Sequence, residues 1–128
     1  MMAREDMNHT TRDWYTDLPK VELHLHLEGA IPLPALWELV IKYGGDPAVP
    51  TLAALRQRFV YRSFEQFIAT WVWKNRFLRE YDDFTFCAEA VACELASQNV
   101  RYAEVFYSPA DFTGAGLHTQ ELTEAIRR

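Results

Sequence analysis

Residues Leu18–Ile31 read Leu-Pro-Lys-Val-Glu-Leu-His-Leu-His-Leu-Glu-Gly-Ala-Ile. Polar and apolar side chains alternate along this stretch, and a β-strand sends alternate side chains to the same face. We therefore predict a strand on which His24 and His26 point to one side, together with Glu28. The apolar side chains at 21, 23, 25 and 27 take the other side, and Gly29 ends the strand.

Two imidazoles on one face of a short strand have the geometry of a metal clamp. Histidine nitrogens with carboxylates nearby are common ligands of zinc and of other divalent transition metals. A lone His-x-His pair also arises often by chance on a surface strand, and a glutamate at a strand end is usually solvated. From these residues alone, the metal-binding and the structural interpretations of His24, His26 and Glu28 both stay open.

Composition and charge exclude several classes of protein. The chain has 128 residues, with 13 Lys or Arg, 18 Asp or Glu and a net charge of -5. This mild, evenly spread charge does not favour a nucleic-acid partner, which selects a clustered basic face. The N-terminal stretch lacks an apolar signal-peptide core, and no segment reaches the roughly 20 apolar residues of a membrane span. We predict a soluble, cytoplasmic protein with a polar lead-in over 1–17 and a folded part over 18–128.

Helical periodicity follows the first strand and then gives way to a second one. Apolar spacing and capping residues predict helices over about 34–43, 51–59, 64–79 and 82–99, capped at Thr51, at Ser63 and at Asp82 or Asp83. Val100–Tyr107 is rich in β-branched and aromatic residues and is predicted to be a strand, and Thr119 can cap a last helix. This order predicts an α/β fold in which two parallel strands are joined by a helical crossover.

The helix predicted over 64–79 carries a stripe of large apolar side chains. Phe64, Phe67, Ile68 and Trp71 recur at helical spacing, which places them on one face. Such a stripe is more often core than the cover of a pocket, so both interpretations stay open at this point. Two parallel strands alone also make a poor sheet, because parallel sheets need several strands and cover on both faces. Strands beyond these two are therefore expected.

Two stretches carry a resemblance to a known family. Residues 18–30 resemble the opening signature of the adenosine and adenine deaminase family, within the amidohydrolase superfamily. The sequence Tyr-Ala-Glu-Val-Phe-Tyr-Ser-Pro at 102–109 resembles the second barrel strand of that family. The resemblance extends over about 18–128 and implies the first two strands and associated helices of a (β/α)₈ TIM barrel. This barrel is incomplete, since such folds typically need about 250 residues.

The resemblance implies roles for particular residues. His24 and His26 match zinc ligands, His26, Glu28 and Gly29 match substrate-contacting positions, and the apolar stripe at 64, 67, 68 and 71 matches the pocket lid. Zn²⁺ is the implied cofactor, and the implied reaction is hydrolytic deamination of an adenine-type purine to the 6-oxo purine with release of ammonia. Adenosine, adenine and modified adenine nucleosides are all candidate substrates. Members specific for adenosine usually carry Asp where this chain has Glu28, which favours another purine.

The remaining functional residues of the family lie on later barrel strands. The resemblance therefore assigns no catalytic acid or base in this chain and implies no activity until the C-terminal remainder of the barrel is supplied, either in the same polypeptide or as a separate chain. The expected partners are that remainder and a purine base or nucleoside, with no nucleic acid and no membrane. The alternative is a truncated, non-catalytic module that binds a metal or another barrel segment.

Overall fold

The structure is a computed structural model that describes residues 14–128. Two strands, β1 (Lys20–His26) and β2 (Val100–Phe106), lie side by side. The helices are α1 (Leu27–Ala30), α2 (Leu33–Lys42), α3 (Leu52–Arg58), α4 (Phe64–Asn75), α5 (Tyr81–Ser97), α6 (Ala110–Thr113) and α7 (Thr119–Ile126). Residues 1–13 of the predicted lead-in fall outside the described part, and 14–17 are helical.

The two strands run parallel and are joined through α1 to α5, so the predicted helical crossover is confirmed. Lys20 lies opposite Val100 and His26 opposite Phe106, so the carboxyl ends of the strands meet at one edge of the sheet. In barrels built from parallel strands, this edge carries the active site. The order of elements therefore brings the histidine-bearing end of β1 beside the end of β2.

The first strand is shorter than predicted, because the chain turns into α1 at Leu27. The prediction that Glu28 shares the strand face of the histidines is therefore wrong, and Gly29 lies inside α1 rather than at a strand end. Burial accounts for the difference, since Leu27 is 2% exposed and Glu28 is 1% exposed. Packing of these two side chains overrides the alternation that the sequence continues.

The hydrophobic core lies among the helices rather than under the sheet. Its fully buried members include Leu36 and Val40 of α2, Leu55 of α3, Phe84 of α5 and Leu122 of α7. No residue of either strand is buried, and Val21 and Leu23 of β1 are 63% and 58% exposed. The apolar face predicted for β1 is thus left open by the described part of the chain.

Helix termini follow the predicted chemistry at two sites and differ at two others. The side chains of Thr51 and Ser63 each accept a hydrogen bond from the backbone N–H three residues later, as predicted. For α5, the N-cap is Glu80, and Asp83 bonds back to the Glu80 N–H, so the cap lies earlier than predicted. Thr119 is the first residue of α7 rather than its cap.

Two further points concern the length of the helices in the described residues. Helix α4 ends at Asn75, four residues before the predicted end at 79. Across residues 14–128, no helix combines the length and apolar character needed to cross a membrane.

Candidate functional site

The two histidines of β1 converge at the carboxyl end of the strand. His24 and His26 are both exposed, and their Nε2 atoms lie 3.2 Å apart. The strand alternation predicted this common orientation, which is confirmed. At this distance one ring N–H can donate to the lone pair of the other ring, and both lone pairs can instead face a shared ligand.

The aromatic ring of Phe106 packs beside this pair. Its centroid lies 4.5 Å from the His24 ring and 6.3 Å from the His26 ring. Phe106 ends β2 and faces the same side of the sheet, which gives the imidazoles an apolar neighbour. Sequence reasoning did not single out this residue. The pairing register of β1 and β2 would have indicated it, because this register aligns Phe106 with His26.

A cavity of about 470 Å³ opens next to His26. It is lined by His26, Gly29, Phe67, Ile68, Trp71 and Ser108. The volume lies within the usual range for small-molecule pockets, and most of the lining is apolar or aromatic. The cavity therefore joins the end of β1, the start of α1, one face of α4 and the segment after β2.

The stripe on α4 divides between this cavity and solvent. Phe67, Ile68 and Trp71 line the cavity, whereas Phe64 is 72% exposed and stacks on the outer side of Phe67 at a centroid distance of 6.0 Å. The core side of α4 is formed by Thr70, Trp73 and Lys74 instead. The stripe is therefore not core.

Glu28 lies buried beside the cavity rather than on the strand face. Its Oε1 accepts a hydrogen bond from the backbone N–H of Ser108 at 2.6 Å. Its Oε2 is buried without a hydrogen-bond partner in the described residues. A buried carboxylate oxygen without a donor is costly, and such an atom is typical of a site that awaits a ligand.

Gly29 allows the indole of Trp71 to approach the backbone of α1. A Cβ atom at position 29 would lie 3.3 Å from Cζ3 of Trp71 and 3.9 Å from its Cη2. The Trp71 ring also meets the His26 ring edge to face, with centroids 6.3 Å apart and an angle of 85°. The absence of a side chain at position 29 therefore lets Trp71 close one wall of the cavity.

Lys74 is a buried cation that sequence reasoning did not single out. Only 3% of it is exposed, and its Nζ lies 3.7 Å from the centroid of the Trp71 ring. Burial lowers the pKa of Lys74 to about 8, and the nearby acidic groups Glu28, Cys87 and Asp111 oppose that change. In the sequence, only its position three residues after Trp71 on the same helix indicated that the two side chains could be in contact.

Comparison with known proteins assigns the family. The family model described as adenosine deaminase matches residues 19–128. The chain belongs to the adenosine deaminase family. Adenine deaminase of Bordetella avium is 34% identical over 116 residues, which cover 91% of this chain and 37% of that protein.

Solved structures of this family show the same fold. Adenine deaminase from Arthrobacter aurescens superposes with a TM-score of 0.75 at 24% identity, over 85% of this chain and 33% of that one. The N6-methyl-AMP deaminase of Arabidopsis thaliana superposes with a TM-score of 0.69 at 26% identity, over 89% and 33%. The chain thus spans about a third of the length of these relatives and forms part of a (β/α)₈ barrel, as the resemblance implied.

The spacing of the His24 and His26 nitrogens matches that of two ligands on one zinc ion. Within residues 14–128 no group of three or more His, Cys, Asp or Glu side chains is arranged to hold a metal. Two nitrogens bound to one tetrahedral zinc ion at about 2.0–2.1 Å are separated by about 3.3 Å. The 3.2 Å between the Nε2 atoms of His24 and His26 fits two positions of such a site.

Proposed function

We propose that this chain supplies part of the active site of a zinc-dependent deaminase that acts on an adenine-type purine. The observation that carries the proposal is the convergence of the His24 and His26 Nε2 atoms at the rim of an aromatic-walled cavity. Two candidate metal-ligand nitrogens beside a pocket of small-molecule size are part of what metal-assisted hydrolysis requires. Membership of the adenosine deaminase family supports the same chemistry.

His24 and His26 are the residues that would hold the zinc ion. When bound, the ion would supply activation of water for attack on the carbon that carries the amino group. Phe106 packs beside the imidazoles on one side. The other ligands and the groups that transfer protons would come from the remainder of the barrel, which is also the proposed partner of this chain.

Glu28 is proposed to bind the substrate. Ser108 fixes one carboxylate oxygen, so the other is held in place as an acceptor without a donor. A purine bearing N–H or O–H groups can satisfy that oxygen, and a hydrogen bond to a charged acceptor is worth about 1.5–3 kcal/mol. Gly29 lines the cavity and is proposed to contact the purine through its backbone.

Phe67, Ile68 and Trp71 are proposed to cover the purine ring. Aromatic walls stack on planar bases, and they also exclude bulk water, which strengthens the electrostatic interactions inside the site. Phe64, which the resemblance also assigns to the lid, supports it from outside by stacking on Phe67. The proposed lid is thus a face of α4 reinforced at its N-terminal end.

The proposed substrate is free adenine or a modified adenine compound rather than adenosine. Glu28 is one methylene longer than the Asp usual in adenosine-specific members, so its carboxylate lies at a different distance from the backbone than the carboxylate of that Asp. The names of the similar proteins, adenine deaminase and N6-methyl-AMP deaminase, point in the same direction. The cytoplasmic location expected from the sequence belongs to the same proposal.

The test uses a complete barrel, in which the remaining strands are supplied in the same polypeptide or as a second one. Adenine, adenosine and N6-methyl-AMP are each offered, and ammonia release is measured together with zinc content. We expect zinc binding and turnover of adenine or N6-methyl-AMP above adenosine. Zinc uptake without turnover of any of the three would support the alternative, a non-catalytic metal-binding module, and overturn the enzymatic proposal.

A further inference from the structure

Four side chains form a closed ring of contacts behind the cavity wall, here called the Trp71 network. Lys74 Nζ donates to Oδ1 of Asn75 at 2.8 Å, and Asn75 Nδ2 donates to Oδ2 of Asp111 at 3.2 Å. The indole Nε1 of Trp71 donates to the same Asp111 oxygen at 3.4 Å. The Lys74 ammonium over the Trp71 ring, at 3.7 Å, completes the ring.

The network joins two elements that are distant in the sequence. Trp71, Lys74 and Asn75 belong to α4, whereas Asp111 lies in α6, which follows β2. The indole is therefore held at its nitrogen by Asp111 and on one ring face by Lys74. Its opposite contacts are the cavity-lining residues His26 and Gly29.

Burial of Lys74 argues that the ammonium has a purpose beyond packing. A fully desolvated ammonium is costly unless acceptors or an aromatic face compensate it. In the structure it has one amide acceptor and the Trp71 ring, and the acidic groups of Glu28, Cys87 and Asp111 contribute at longer range. A cation–π contact that is removed from water has a defined geometry, which restricts the orientation of the ring it covers.

We propose that Lys74, Asn75 and Asp111 are positioning residues that fix the Trp71 indole against the cavity and so determine how tightly the purine is held. The inference rests on the proposed function, since it names residues that act on the same site through Trp71. None of the three lines the cavity beside His26. Their effect is therefore exerted on substrate binding and not on the chemical step.

The kinetic test compares variants of the complete barrel. Lys74→Met removes the ammonium at similar length, and Asp111→Asn weakens the acceptor of the indole. We expect Lys74→Met to raise KM for the preferred purine roughly 3- to 30-fold, with kcat within about twofold, because a desolvated cation–π contact is of that size. Asp111→Asn is expected to raise KM in the same direction, because it weakens the hydrogen bond to the indole. Arg76→Met, an exposed cation at the C-terminus of the same helix, serves as the matched control with unchanged KM.

A double-mutant comparison separates positioning from general destabilisation. In a Trp71→Leu background no aromatic ring is left for Lys74 or Asp111 to orient, so Lys74→Met is expected to cause no further rise in KM. A merely structural role of Lys74 would instead produce the same change in both backgrounds. Equal effects in the two backgrounds would overturn the proposal.

A second readout does not depend on activity. The ¹⁵N–¹H resonance of the Trp71 indole is assigned by its loss in Trp71→Phe, and it is expected to shift in Asp111→Asn and in Lys74→Met but not in Arg76→Met.

If Lys74→Met fails to fold, Asp111→Asn carries the test, because Asp111 is exposed. If the unaltered barrel deaminates no purine, the proposed function fails, while the resonance still tests whether Asp111 and Lys74 hold the Trp71 indole. An unshifted resonance in Asp111→Asn would overturn the proposal that these residues position the indole.

Discussion

Glu28 and Ser108 join the ends of the two strands through a hydrogen bond of 2.6 Å from the Ser108 N–H to the Glu28 carboxylate. The bond spans 80 positions of the chain and fixes the first turn after β1 against the segment after β2. It uses one carboxylate oxygen and leaves the other buried without a partner. Glu28 therefore connects the architecture of the fold to the proposed binding of substrate.

Glu28→Gln should separate these two roles. The amide oxygen can still accept from Ser108, so we expect the free energy of unfolding to change by less than about 1 kcal/mol. The NH₂ group then replaces the unpartnered acceptor, and KM of the complete barrel should rise about 10- to 100-fold, the value of a charged hydrogen bond. Glu89→Gln, at an exposed position of α5, is the control. An unchanged KM would remove Glu28 from the binding site.

Removal of the histidine pair should abolish metal binding. The double variant His24→Ala, His26→Ala loses both nitrogens that converge at 3.2 Å, so we expect elemental analysis of the complete barrel to find no bound zinc. His118→Ala, an exposed histidine before α7, should retain full zinc content. Equal zinc content in the double variant and the unaltered protein would contradict the ligand assignment.

Gly29→Ala tests the close approach of Trp71. The added Cβ would lie 3.3 Å from the indole, so the ring must move by a few tenths of an ångström and KM should rise. In a Trp71→Phe background the smaller ring leaves space, and the same substitution should have little effect. Gly114→Ala is the matched control, because no atom lies within 4 Å of its added Cβ. A KM rise of equal size in both backgrounds would argue against this contact.

Stability should depend on pH through Lys74. Burial lowers the pKa of Lys74 from 10.5 to about 8, so above pH 8 the native state binds fewer protons than the unfolded state and stability rises with pH. Between about pH 7 and about pH 9 this adds about 1.4 kcal/mol to the free energy of unfolding. Denaturant titrations of the complete barrel should show this increment, and Lys74→Met should lack it. Parallel pH profiles of the two proteins would contradict the assignment.

The open face of the sheet predicts association of the 128-residue chain on its own. Val21 and Leu23 are more than half exposed, and an uncovered apolar strand face promotes edge-to-edge and face-to-face contact. Sedimentation velocity should therefore show concentration-dependent association, which the double variant Val21→Lys, Leu23→Lys reduces. Ile41→Lys, an exposed apolar position of α2, should not reduce it. A monomer at all concentrations would count against this prediction.

Local patterns of the sequence predicted the elements of the fold well. The strand alternation placed His24 and His26 on one side, and helix caps at Thr51 and Ser63 were confirmed because capping depends on neighbours in sequence. The parallel arrangement also followed from the order of elements. The strand alternation and the helix caps depend on interactions within a few residues, which a sequence displays directly.

Long-range contacts explain what could not be predicted. Burial of Glu28 depends on Ser108 after β2, and it turns the chain out of the strand that the alternation continues. Lys74 is a charged residue, and its burial depends on Trp71 and on packing between helices. Phe64 shares the helical spacing of Phe67 but extends beyond the cavity. Helical or strand periodicity assigns such residues to a face of their element, but it does not predict whether that face contacts the core, a cavity or solvent.

The parts of the site differ in the length of chain that each requires. The imidazole pair needs only three consecutive residues in extended conformation, so its geometry is encoded locally. The Glu28–Ser108 bond closes a loop of 80 positions and must wait for the intervening helices to pack, since closure of long loops is slow and entropically costly. The relative position of the two imidazoles is therefore a local property of β1, whereas the Glu28 carboxylate reaches its place only when the whole helical crossover has packed.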